Sequence, residues 1–129
     1  RSSEAPPRIE AVAGSDELET LRRVLAMVRM EGVIADYIVN VVHATRPGAS
    51  NDLARLVEFG ASPRATIALS KAARALAFLH GRAYVTPDDV KAVGPDVLRH
   101  RILLTYEAEA EGMTVEDVIS KVFAHVPTP

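Results

Sequence analysis

The chain has 129 residues and a mass of 13.9 kDa, the size of one domain with a short tail. Its hydrophobic fraction of 48% and charged fraction of 25% are those of a globular domain that needs no staples. The absence of Cys excludes disulfides, thiolate catalysis and Cys-based zinc or iron–sulfur centres, and a net charge of −2 gives no general pull toward nucleic acid or anionic lipid.

Aromatic residues make up only 5% and there is no Trp, so the core must be built from Ala, Val, Leu and Ile. That composition suits closely packed helices. No apolar run approaches the roughly 18 residues of a membrane span. The start, Arg1-Ser2-Ser3-Glu4-Ala5-Pro6-Pro7, lacks a secretory apolar region, and the missing initiator Met points to a piece of a longer protein. Of the 15 basic residues 12 are Arg, whose rigid fork pairs with carboxylate and phosphate as Lys cannot.

Residues 1–14, punctuated by Pro6-Pro7 and Gly14, are expected to form a flexible tail. Residues 15–126 then form the domain, and 127–129 a short end. Ser15 or Asp16 can cap a helix over about 16–28, with Leu18, Leu21, Leu25 and Val28 at helical spacing. A second helix, about 33–45, presents Ile34, Tyr37, Ile38, Val41 and Val42, and Arg46-Pro47-Gly48 stops it. Residues 47–61 read as loop, with a short helical turn available at Asp52–Val57.

The clearest element follows. Ser62 is a suitable N-cap, Pro63 suits the first helical position, and helix formers continue to His80 before Gly81. Leu69, Ala72, Ala73, Leu76 and Leu79 are expected to line its inner face, and its many Ala residues keep it thin. Ala83-Tyr84-Val85 is a short extended piece. Thr86-Pro87-Asp88-Asp89 starts another helix, which Gly94-Pro95 is expected to interrupt. A turn over 96–101 leads into Ile102–Tyr106, whose apolar run fits strand or helix. Glu107, Glu109 and Glu111 form an acidic patch, and Thr114 caps a last helix over about 115–124. Tyr37, Phe78 and Tyr84 are expected in the core. The fold class is therefore all-α: a small bundle of five to six helices with a short extended segment.

Little in this chain resembles catalytic machinery. None of the seven Gly residues precedes a Lys, so there is no phosphate-cradling P-loop. No apolar strand ends in paired acids for magnesium. His43, His80, His100 and His125 stand far apart, so no metal site is expected. The most specific stretch is Gly60-Ala61-Ser62-Pro63-Arg64-Ala65, a loop running into a helix start. Arg64 adds a full charge to a helix end that is already positive. That placement makes sense if an anion sits there, with Ser62, Lys71 and Arg74 in support. An ordinary solvated basic face, or Arg64 paired with an acid, fits the same residues. Arg82 after Gly81 reads as structural, while Arg46, Arg99 and Arg101 fit interface, core-facing or plain surface roles.

Four runs in order resemble the C-terminal lid domain of MoxR-family AAA+ ATPases. They are Gly60–Ala65, Ala73-Arg74-Ala75-Leu76-Ala77, Gly81-Arg82-Ala83-Tyr84-Val85-Thr86-Pro87-Asp88-Asp89-Val90, and Val97-Leu98-Arg99-His100-Arg101-Ile102. Tyr37-Ile38 with Ala44-Thr45-Arg46 is similar to the segment that precedes them in that family. The likeness covers about residues 16–126. It implies a helical lid beside an ATP-binding core in a cytoplasmic ring, usually a hexamer. It implies that Arg64 is the sensor-2 residue, which reads the ATP γ-phosphate in its own subunit or a neighbour's. ATP and magnesium would be held by the core, which this sequence lacks, so the chain alone is not expected to be an enzyme. Implied partners are that core, the neighbouring subunits and von Willebrand A-domain proteins, in chaperone-like activation of other complexes. The alternative is a stand-alone helical interaction or nucleic-acid-binding module, which the near-neutral charge disfavours.

Overall fold

A single Ala-rich helix organises the domain in a computed structural model that describes residues 4–48 and 52–129. Among the described residues there are six α-helices: α1 (Ser15–Met27), α2 (Gly32–Ala44), α3 (Pro63–Leu79), α4 (Pro87–Leu98), α5 (Tyr106–Ala110) and α6 (Val115–His125). Short 3-10 turns lie at Asp52–Leu56 and Arg99–Arg101. Strands β1 (Val57–Phe59) and β2 (Leu103–Leu104) pair antiparallel, with Val57 opposite Leu104 and Phe59 opposite Leu103. This is the expected helical bundle with short extended pieces. None of the helices described is long and apolar enough to cross a membrane.

Helix α3 touches α1, α2 and α4. Its fully buried residues are Ala65, Leu69, Ala73 and Ala77, a ladder at four-residue spacing. Three of the four are Ala, so neighbouring backbones can come close. The expected inner face is therefore corrected. Leu69 and Ala73 are buried, but Leu79 is 76% exposed, because the Ala ladder turns inward and leaves Leu79 on its edge. Helix α2 buries all five of its predicted apolar residues, together with Ala44. Val90 and Leu98 of α4 and Val118, Ile119 and Val122 of α6 complete the core.

Helix α1 differs from the rest. It packs on α3 and buries no residue of its own. Leu18 and Leu21 of the predicted stripe remain 49% and 39% exposed. Beyond its end, a parallel bridge pairs Arg29 with Tyr84: the Arg29 N–H donates to the Ala83 carbonyl at 2.8 Å, and the Val85 N–H to the Arg29 carbonyl at 2.9 Å. Ala83–Val85 is thus the extended piece that the sequence indicates.

Two other elements depart from expectation. Gly94-Pro95 does not interrupt α4, which runs on to Leu98. Proline forfeits one helical hydrogen bond, but α4 is held along its length by α3 and α6. Gly94 leaves room for the Phe123 ring of α6, since a Cβ there would lie 2.6 Å from Phe123 Cε2. The segment read as loop contains the predicted helical turn, as Asp52–Leu56, and then β1. A three-residue strand is too short to show a period. Residues 49–51 lie outside the described residues. The run Ile102–Tyr106 divides, with β2 in its middle and α5 beginning at Tyr106.

Two clamps hold the ends of α3. At its start, the Ala61 N–H donates to Thr45 Oγ1 at 2.9 Å, and Thr45 Oγ1 donates to the Val42 carbonyl at 2.7 Å. Arg46 Nε donates to the Ala61 carbonyl at 3.2 Å. The backbones meet so closely that a Cβ on Gly60 would stand 2.7 Å from Arg46 Cα. Beyond its end, Gly81 takes φ +73°, and the chain turns back into the Arg82–Asp89 ion pair. Asp89 is 1% exposed and receives both Arg82 guanidinium nitrogens, at 2.5 and 2.7 Å. It also accepts the Thr86 N–H at 2.8 Å, closing a capping box on α4. The Arg82 contact, reinforced by Thr86, holds the Asp89 carboxyl below an aspartate's ordinary value of 3.8.

Gly60→Ala should cost about 1–3 kcal/mol, because the atoms it strikes are backbone and cannot rotate away. Urea unfolding measures this, and a loss under about 0.5 kcal/mol would show that the α2 end can retreat. Asp89→Asn keeps a cap acceptor but removes the charge facing Arg82. It should cost about 1–3 kcal/mol at neutral pH. Wild-type Asp89 contributes fully above 3.8 and loses its contribution as pH falls through its lowered folded value. The stability gap between the two proteins should therefore narrow by roughly pH 3. A gap that stays constant would mean that the charge contributes nothing.

Candidate functional site

The Thr45–Ala61 clamp fixes where α3 begins, and the next residues inherit that position. Ser62 is extended, with ψ 171°, and occupies the N-cap. Its hydroxyl makes no capping bond, unlike those of Thr86, Thr105 and Thr114, which each accept a backbone N–H of their helix. Pro63 takes the first helical position, and Ala65 in the same turn is fully buried. Arg64 is thereby turned outward. It is exposed and makes no hydrogen bond or ion pair with any described residue. The helix mouth thus presents a free guanidinium beside first-turn N–H groups that no side chain caps. This arrangement favours an oxyanion on two counts, the positive helix pole and the full charge.

The other candidate residues divide. Ser62 sits beside Arg64, but Lys71 and Arg74 lie farther along α3. They line a cleft of about 410 Å³ with Arg22, Leu25 and Ala26 of α1. Arg74 is half-buried, and its Nε donates to the Val28 carbonyl at 3.1 Å, so part of its role is to tie α1 to α3. Arg22 is the residue that sequence reading passed over, as one polar position among several on α1. Its spacing to Leu25 and Ala26 places the three on one helical face, which was the available signal. A second cleft, of about 340 Å³, lies between α2 and the start of α3, with His43, Arg46, Thr66 and Ile67 in its lining.

Several neighbours prove structural. Arg82 pairs with Asp89, donates to the Tyr84 carbonyl at 3.1 Å and stacks 5.9 Å from the Tyr84 ring centre. Arg46 supports the Ala61 clamp. Arg99 bridges Asp96 and Glu116 at the surface. Arg101 is half-buried and its Nε has no partner. Tyr37 is in the core as expected, whereas Tyr84 is 53% and Phe78 37% exposed. Tyr84 belongs to the edge pairing with Arg29, and Phe78 lines a groove beneath Val24 and Met27 of the thinly packed α1. Both therefore keep one side open to solvent.

Comparison with known proteins agrees with the fold. Residues 51–122 match the family model described as the AAA lid domain. The chain is 42% identical to the chaperone MoxR1 of Mycobacterium tuberculosis, over all of this chain and 35% of that protein. It is 35% identical to the protein MoxR of Methylorubrum extorquens, over 93% of this chain and 38% of that one. The crystal structure of an inferred ATPase of Cytophaga hutchinsonii superposes with a TM-score of 0.83 at 38% identity, covering 88% of this chain and 36% of that one. The chain thus spans little more than a third of the length of these relatives. With the lid model matched over more than half its residues and MoxR proteins aligned along nearly all of it, the chain belongs to the AAA lid family, as the lid domain of a MoxR-type AAA+ protein.

Proposed function

We propose that this lid reads the nucleotide state of a MoxR-type ATPase through Arg64 and converts it into movement of the domain. The observation that carries the reading is the exposed guanidinium in the first turn of α3, unpaired among the described residues, on a helix start clamped to α2. The donor set suits a terminal phosphoryl group: a fork of N–H groups beside a helix mouth without a side-chain cap. ATP would supply that group while held by a core outside this chain, with magnesium bound there too. The part played by this chain is to orient Arg64. Its contact depends on whether the phosphoryl group is present. When that contact is lost, one anchor of the lid is lost with it, and the lid's resting position shifts.

The setting belongs to the same proposal. The lid, residues 15–126, acts within a cytoplasmic ring of subunits, usually six. Its partners are the nucleotide-binding core and neighbouring subunits, with von Willebrand A-domain proteins as further partners in chaperone-like activation. The names of the relatives, a MoxR1 chaperone and a MoxR protein, support the chaperone-like setting.

Arg64→Ala should leave the stability of this chain within about 0.5 kcal/mol, since an exposed side chain without partners is removed. In the intact parent protein it should lower ATP turnover roughly tenfold or more, as expected for loss of a charge-assisted contact. Steady-state ATPase assays on assembled rings measure this. Wild-type turnover in a correctly assembled Arg64→Ala ring would refute the sensor role.

A further inference from the structure

The cleft between α1 and α3 gathers three basic side chains. Arg22, Lys71 and Arg74 line it with Leu25 and Ala26, and none of the five is acidic. This occurs in a chain where acids outnumber bases 17 to 15. Elsewhere four Arg residues carry carboxylate partners: Arg29 with Glu31, Arg55 with Glu111, Arg82 with Asp89, and Arg99 with Asp96 and Glu116. In the cleft, Arg22 and Lys71 have no partner among the described residues. Arg74 is half-buried, and its one hydrogen bond among the described residues is from Nε to the Val28 carbonyl, which leaves its terminal nitrogens without a hydrogen-bond partner there. Like charges gathered without a counter-charge repel one another, more so in a partly desolvated cleft than in open water.

We propose that this cleft binds a small phosphoryl compound with an apolar body. Two guanidinium forks match phosphate oxygens pairwise, and Lys71 adds a point charge. A phosphoryl dianion neutralises such a group better than a single carboxylate does. Leu25, Ala26 and the aliphatic stems of the Arg residues offer an apolar wall to the rest of the molecule. The volume, about 410 Å³, lies within the range of small-molecule clefts. Lys71 and Arg74 follow Arg64 by seven and ten residues, so they lie about 10 and 15 Å along the helix from it. Arg64 does not line this cleft. Because Arg22 stands on α1, which otherwise buries nothing, such a ligand would also tie α1 down.

The test is titration of the isotopically labelled 129-residue chain with inorganic phosphate and with phenyl phosphate at low ionic strength, read by NMR and amide exchange. Saturable shifts are expected at Ala26, Lys71 and the Arg74 side chain, with added protection in α1 and tighter binding of phenyl phosphate. Lys71→Glu and Arg22→Glu should each weaken binding roughly tenfold or more, and Arg64→Ala should leave it unchanged. Both acidic variants sit at exposed positions, and circular dichroism confirms their fold. Shifts that centre on Ser62–Ala65 and vanish with Arg64→Ala would overturn the proposal. So would binding that the acidic variants do not weaken, phenyl phosphate binding no tighter than phosphate, or tighter binding of a Glu-rich peptide, which would mark a protein-docking groove instead.

Discussion

The Thr45 hydroxyl is the point on which the placement of the site depends. It receives the Ala61 N–H and donates to the Val42 carbonyl, so it joins the last turn of α2 to the residue just before the α3 cap. A buried hydroxyl that both gives and receives leaves nothing unsatisfied, and each partner is backbone. Arg46 adds the second half by taking the Ala61 carbonyl. Gly60 is then required for steric reasons, because the α2 backbone passes where its side chain would stand. The Gly-Ala-Ser-Pro-Arg-Ala run thus falls into two parts. Gly60, Ala61 and Ala65 are structural, and Arg64 is what that structure presents.

The far end of α3 is fixed by different chemistry toward the same result. Gly81 reverses the chain, Arg82 reaches into Asp89, and Asp89 caps α4. The ion pair is nearly dry on the Asp side, so its value lies in a fully satisfied network more than in attraction alone. With 17 residues, α3 is about 25 Å long and is held at both ends. A force applied at Arg64 is therefore carried by a stiff rod packed on a ladder of small side chains. Such a rod moves its neighbours with it instead of bending.

Much of this was legible because local chemistry carries it. Pro63, Thr86 and Thr114 announce helix starts by mechanism, and α2 shows a clean apolar stripe. Arg64 stood out for a similar reason, as a cation at the wrong helix pole. What escaped detection depends on neighbours distant in the chain. Gly94-Pro95 looks like a break until α3 and α6 are seen to brace it. Phe59 shows its strand character only through Leu103, 44 positions away in the sequence. Leu79 looks like core because helical spacing gives a face, but not how far along that face the neighbours extend. Arg22 gains meaning only once α1 lies on α3.

The poor burial of α1 gives these observations a common consequence. Helices of this length are marginal without packing, and α1 is joined to the domain by the Arg74–Val28 bond, the Arg29–Tyr84 bridge and half-covered leucines. One of these ties, the Arg29–Tyr84 bridge, meets the segment next to the Arg82–Asp89 clamp. The remaining contact surface carries Arg22 and Lys71, which have no counter-charge among the described residues. The domain therefore combines a rigid rod, α3, with a weakly held companion along its side. On the proposal above, an anion that enters between them would stabilise that companion and leave the rod in place. On the two proposals above, the ligand at the start of α3 and the ligand at the α1 face would share the same helix as their reference.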